Sequence, residues 1–195
     1  MDRRPQGFTL IELMVALTVL AILMVVAVPS FMEFRQRQAL QGAAEQFVSA
    51  WDQARFEALR RDANLYVTLR NDSGDVCMGV DTNSACDCRG SASGAAVCDV
   101  STYPGDNANL AGVTAAANPT LGSDDSDGVG LAVIDPKRGG ITNTGDWGGI
   151  ALKGPAGRAD YRLNFYVDTR GRAVLCEPAD APAKIPAYGD RRCAL

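Results

Sequence analysis

The chain contains no histidine. That removes the side chain that most often works as a general base near neutral pH, and the commonest transition-metal ligand. Nothing in the sequence pairs a nucleophile with a base, forms a glycine-rich phosphate loop or sets ligands at metal-site spacing. The expectation is a non-enzyme with no cofactor and no metal. Positive charge is scarce in the middle of the chain. Between Asn71 and Pro136 ten acids (Asp72, Asp75, Asp81, Asp87, Asp99, Asp106, Asp124, Asp125, Asp127 and Asp135) face Arg89 alone, which reads as a solvated loop surface. A secretory cleavage site is also missing. No A-x-A pattern closes the N-terminal apolar run before Pro29, as a removable signal would require.

What is present is a chain of 195 residues, 47% apolar and 22% charged, suited to one soluble domain plus an N-terminal anchor. Leu13 to Val28 is an apolar run of sixteen residues, interrupted by Thr18 alone. Counted from Phe8 it is long enough to cross a bilayer. Arg3 and Arg4 precede it, which keeps the N-terminus cytoplasmic and sends the remainder outward. The net charge is −4, of which the first seven residues contribute +1.

Glu12 stands at the head of this run, within Gly7-Phe8-Thr9-Leu10-Ile11-Glu12. A buried, unpaired acid at a helix centre in a membrane costs roughly 2.5–3.5 kcal/mol, so an acid kept here is expected to have a partner. The pattern resembles the type IV prepilin signature. The resemblance implies that an inner-membrane prepilin peptidase cleaves after Gly7 and methylates the new amine on Phe8. It also implies that Glu12 pairs with the Phe8 amine of a neighbouring subunit, setting register in a filament core of low dielectric.

Pro29 ends the apolar run, and its missing N–H predicts a kink or a locally melted stretch. Beyond it Leu40, Ala44, Phe47, Trp51, Ala54 and Ala58 recur at helical spacing as one stripe, expected to pack the helix on its own domain. A helix from Phe8 to about Arg61 would be roughly 80 Å long. Ala54-Arg55-Phe56-Glu57-Ala58, followed by Tyr66-Val67-Thr68-Leu69, resembles the helix end and first strand of the GspH/FimT class of minor pilins. The expected fold is α+β and type IV pilin-like, with a long N-terminal helix on a mostly antiparallel β-sheet domain. The expected divisions are a leader at 1–7, a transmembrane or filament-core helix at 8–29, an amphipathic helix at 30–62 and a disulfide-stapled β-rich domain at 63–195.

Alternation predicts strands at Leu65–Arg70, Ile150–Lys153 and Tyr161–Asp168, with shorter candidates at Gly128–Ile134 and Ala173–Cys176. Asp81 to Asp127, rich in small and polar residues, reads as a long surface excursion. Cys77, Cys86, Cys88, Cys98, Cys176 and Cys193 make an even set in a domain placed outside the cytoplasm, which favours disulfides. Cys176 and Cys193 enclose a proline-rich loop, and the resemblance supports their pairing, since many pilins close a C-terminal loop this way. The other four have three pairings open to them. Of these, Cys77–Cys98 with Cys86–Cys88 is disfavoured by strain across C-x-C. Zinc is disfavoured too, because the four lack paired C-x-x-C knuckles. Asp124, Asp125 and Asp127 have spacing that could offer oxygens to calcium, but the full loop is absent and a solvated turn is the better reading.

Arg158, Arg162, Arg170, Arg172, Arg191 and Arg192 gather late in the chain. Some minor pilins of the class resembled bind DNA through C-terminal arginines, which makes Arg170, Arg172, Arg191 and Arg192 candidate DNA contacts. Asp160, Asp168 and Asp190 interrupt them, so solvated or subunit-paired arginines are the preferred reading. The resemblance implies a minor pilin or pseudopilin of a type IV pilus or a type II secretion pseudopilus. Its partners would be other pilins, the prepilin peptidase and the bacterial inner membrane, with the globular domain in the periplasm before assembly. DNA uptake in natural transformation is the alternative role.

Overall fold

The computed structural model describes residues 9–90, 96–105, 110–116, 119–120, 128–142, 148–155, 160–168, 170–182 and 184–188. Among the described residues one helix, α1 (Leu10–Arg61), leads into eight strands. These are β1 (Leu65–Asp72), β2 (Asp75–Asp81), β3 (Ser101–Tyr103), β4 (Thr114–Ala115), β5 (Val129–Ile134), β6 (Gly148–Lys153), β7 (Arg162–Val167) and β8 (Ala173–Cys176). They form two four-stranded sheets, ordered β3-β2-β1-β5 and β4-β6-β7-β8, and every strand pairing is antiparallel. This is the α+β architecture that the prepilin resemblance implies.

At 52 residues α1 is about 78 Å long. Thr9 caps it, and Asp62 closes it in the left-handed conformation, its N–H donating to the carbonyls of Ala58 and Leu59. Arg60 and Arg61 in the last turn suit the negative end of the helix dipole. The helix runs unbroken through Pro29, so the melted stretch allowed for there does not occur. Proline withholds one N–H, that which would reach the Val25 carbonyl, while the flanking turns keep theirs.

The two halves of α1 differ in what they meet. In the first half an apolar, membrane-length window has none of its surface buried by the protein. In the second half Leu40, Ala44, Phe47, Trp51, Ala54 and Ala58 are all buried, as the stripe predicts. Phe47 stacks edge-on against Tyr103 at 4.9 Å and tilts against Phe165 at 5.8 Å, with Trp51 edge-on to Phe165 at 6.3 Å. Since Tyr103 belongs to the first sheet and Phe165 to the second, these rings pin the helix across both. Full burial of such side chains supplies the domain's main driving force, on the order of 2–3 kcal/mol each.

The excursion is less superficial than its composition implies. It contributes β3 to one sheet and β4 to the other, and buries Cys86, Cys88, Leu110 and Val113. Ala115 N–H donates to the Gly74 carbonyl at 2.7 Å, tying the two sheets together. The reason is β2, buried at six consecutive residues from Val76 to Asp81. A strand apolar on both faces needs a second cover, and the excursion supplies it.

Candidate functional site

At the head of α1 the Thr9 hydroxyl accepts the Glu12 N–H at 3.3 Å. Thr9-x-x-Glu12 is thus the spacing of a capping box, with an acid in the first turn where the helix dipole favours it. The T-x-x-E pattern in the sequence signals this cap, a local role for Thr9 beside the intersubunit pairing expected of Glu12. Gly7 and Phe8, the expected cleavage and methylation positions, lie outside the described residues.

The Ala54-Arg55-Phe56-Glu57-Ala58 element separates into distinct duties. Ala54 and Ala58 are buried, and their small side chains let the helix lie close to the sheets. Glu57 turns outward and binds its own helix end, accepting from Arg60 Nε at 2.7 Å and from Arg61 Nε. The charged hydrogen bonds from these two arginines, Arg60 first, hold its carboxyl at a pKa of about 2. Arg55 Nε donates to the Gly139 carbonyl at 2.9 Å. One turn earlier, the buried Trp51 Nε1 donates to the Gly171 carbonyl at 2.8 Å.

Those two carbonyls belong to turns that meet. Gly139 (φ +63°) closes the 135–140 turn and Gly171 (φ +73°) the 168–171 turn. A Cβ on Gly171 would strike the Gly139 carbonyl oxygen. Asp135 and Asp168 stabilise the turns from within, Asp135 accepting from Lys137 N–H at 2.9 Å, and Asp168 from Arg170 and Arg172 N–H at 3.0 and 2.8 Å. Lys137, Arg138, Arg170 and Arg172 are consequently exposed on adjoining loops.

Of the candidate DNA contacts, Arg170 and Arg172 are thus together, with Arg172 also touching Asp168 at 3.4 Å; Arg191 and Arg192 lie outside the described residues. Arg162, grouped with them in the sequence, begins β7, whereas Arg170 follows its far end, about 20 Å away at strand rise. It is held there by Asp160 and Asp180 at 3.4 Å each. Lys137 and Arg138 were not foreseen, because only the folded turns bring them beside Arg170.

Cys77 is bonded to Cys88 and Cys86 to Cys98, with Cα separations of 6.0 and 5.0 Å. These four sulfurs are therefore not available as zinc thiolates. Cys176 is disulfide-bonded; Cys193, its expected partner, lies outside the described residues. The neighbouring Glu177 is buried, accepts the Ile185 N–H at 2.8 Å and faces Lys184 at 3.8 Å, which folds the proline-rich segment back on the domain. Asp124, Asp125 and Asp127, the calcium candidates, fall outside the described residues. Among the described residues no group of three or more His, Cys, Asp or Glu gathers as a metal site would.

Residues 2–28 match the family model for the prokaryotic N-terminal methylation motif. No curated protein matches the chain. Among solved structures, the crystal structure of the type IV minor pilin FimU from Pseudomonas aeruginosa is similar at 19% identity and a TM-score of 0.47, covering 80% of this chain and 98% of that one. The family match takes in the sequence positions Gly7, Phe8 and Glu12 and runs on through the apolar run to Val28.

Proposed function

We propose that this chain is a minor pilin or pseudopilin, anchored in the inner membrane by α1 until it joins a type IV pilus or a type II secretion pseudopilus. The observation that carries the reading is the methylation motif at residues 2–28, continuous with a helix whose apolar half finds no cover among the described residues of its own domain. That half must be buried elsewhere, first by lipid and then by the helices of neighbouring subunits. In this role prepilin peptidase cleaves between Gly7 and Phe8 and methylates Phe8. The Glu12 carboxylate then meets the Phe8 amine of an adjacent subunit. The domain at 63–195 faces the periplasm and aids assembly initiation or tip function.

Glu12→Val tests this directly, since valine keeps the segment apolar and removes the charge. The variant should still enter the membrane and fail to enter filaments. Incorporation at the wild-type level would overturn the assignment. Sheared surface pili missing from a deletion strain would assign the subunit to the pilus. Normal pili with impaired protein export would assign it to the secretion pseudopilus.

A second reading is favoured by the exposed bases on the adjoining glycine turns. Lys137, Arg138, Arg170 and Arg172, with Arg191 and Arg192, would contact a DNA backbone during natural transformation. Binding of this kind weakens steeply with salt and would fall in Arg170→Ala/Arg172→Ala. No shift of DNA at low salt would remove it.

A further inference from the structure

Just beyond the apolar half of α1 lies a groove that none of these features uses. Met32, Arg35, Gln36 and Ala39 recur at i, i+3, i+4 and i+7 and so share one helix face, while Ala111 and Pro155 wall the groove from two loops. Its volume is about 410 Å³, within the range of small-ligand sites. Gln36 is only 7% exposed, and its Oε1 is buried without a hydrogen-bond partner. An acceptor in that position calls for a donor from outside the chain. Arg35 is exposed at the rim, and among the described residues its guanidinium has no hydrogen-bond or ion-pair partner.

The height of the groove points to what occupies it. Leu10 to Pro29 is twenty residues, about 30 Å of helix and the thickness of a bilayer's hydrocarbon core. Met32 to Gln36 then lies about 5–10 Å further on, in the headgroup layer. Met32, 52% exposed, faces the hydrocarbon end, flanked by the exposed Phe31 and Phe34.

We propose that this groove binds the headgroup of a phosphatidylethanolamine-type lipid from the membrane that α1 spans. Arg35 donates to the phosphate, Gln36 Oε1 accepts from the primary ammonium, and Met32 lies against the start of an acyl chain. A phosphate alone would leave Gln36 Oε1 unsatisfied, and a choline headgroup has no N–H to offer it. The site rests on the anchor reading above and adds to it a lipid choice that an apolar helix alone would not make.

The test uses the full-length chain in nanodiscs containing equal phosphatidylethanolamine and phosphatidylcholine, with retained lipid counted by native mass spectrometry after gentle detergent release. Wild type should retain phosphatidylethanolamine over phosphatidylcholine by on the order of tenfold. Gln36→Leu should erase the preference, and Arg35→Gln should lose bound lipid of both kinds. Equal retention by wild type, or a preference unchanged in Gln36→Leu, overturns the headgroup assignment while leaving the anchor intact. A chain that does not enter nanodiscs overturns the anchor and the lipid site together.

Discussion

Glycine 171 shows how much one residue can decide. It holds a backbone conformation that an L side chain reaches at a cost of about 1–2 kcal/mol, touches the Gly139 carbonyl and receives the Trp51 indole N–H. Gly171→Ala is therefore expected to destabilise the domain by about 2 kcal/mol or more, read as a fall in Tm of roughly 4–8 °C for a chain of this size. An unchanged Tm would mean the two turns do not bear on one another. Glu57 gives a pH dependence. Its carboxyl has an ordinary value of 4.5 unfolded and about 2 in the fold, so the unfolded chain takes up the proton first. Its contribution is complete above about pH 4.5 and is lost as pH falls toward about 2. A carboxyl NMR titration should place its midpoint near 2, and a midpoint near 4.5 would show that the Arg60 and Arg61 contacts do not persist in solution. Trp51 was legible in the sequence as a core residue, because its stripe neighbours recur at helical spacing. Its hydrogen bond was not, since the carbonyl it reaches lies 120 residues away.

At the level of elements, legibility followed the physics of exposure. β1, β5, β7 and β8 could be read because each alternates or stands as a short apolar run between turn residues; in β5 burial alternates at every residue. β2 could not, because it is covered on both faces and carries Cys77 and Gly79 where branched residues would announce a strand. β3 and β4, of three and two residues, are too short to leave a pattern and exist because neighbouring strands template them. The pairs Cys77–Cys88 and Cys86–Cys98 hold this cover in place, and a Cβ on Gly79 would strike the Cys98 sulfur. Each bond closes a loop with a sequence separation of 11 or 12, worth about 3 kcal/mol in the chain-entropy model. Cys86→Ala/Cys98→Ala should lower stability by about that amount and raise amide exchange in β2 and β3 before β7 and β8. Uniform exchange across both sheets would contradict the view that the excursion is a separate lid on β2.

Seen whole, the molecule divides its tasks along one helix. Beyond Pro29 the stripe that begins at Leu40 is buried within the chain, and before it the apolar surface is left uncovered among the described residues. In the proposed role lipid, and then other subunits, would supply the burial of that half. In the proposed role Glu12, whose N–H is capped by Thr9 at the start of the helix, would meet the charge of a neighbouring subunit. The apolar half of the helix and the motif at its start were plain in the sequence, because length, charge order and the Gly7–Glu12 spacing are local features. The basic pole at the glycine turns was half visible, since Lys137 and Arg138 join Arg170 and Arg172 only through long-range folding. The most direct measurement of the central claim is the mass of the N-terminal peptide from the full-length protein recovered from its native membrane. Prepilin processing would give a chain beginning at Phe8 and heavier by one methyl group on its amine. A chain that still begins at Met1, or one cut elsewhere in the apolar run, would contradict it.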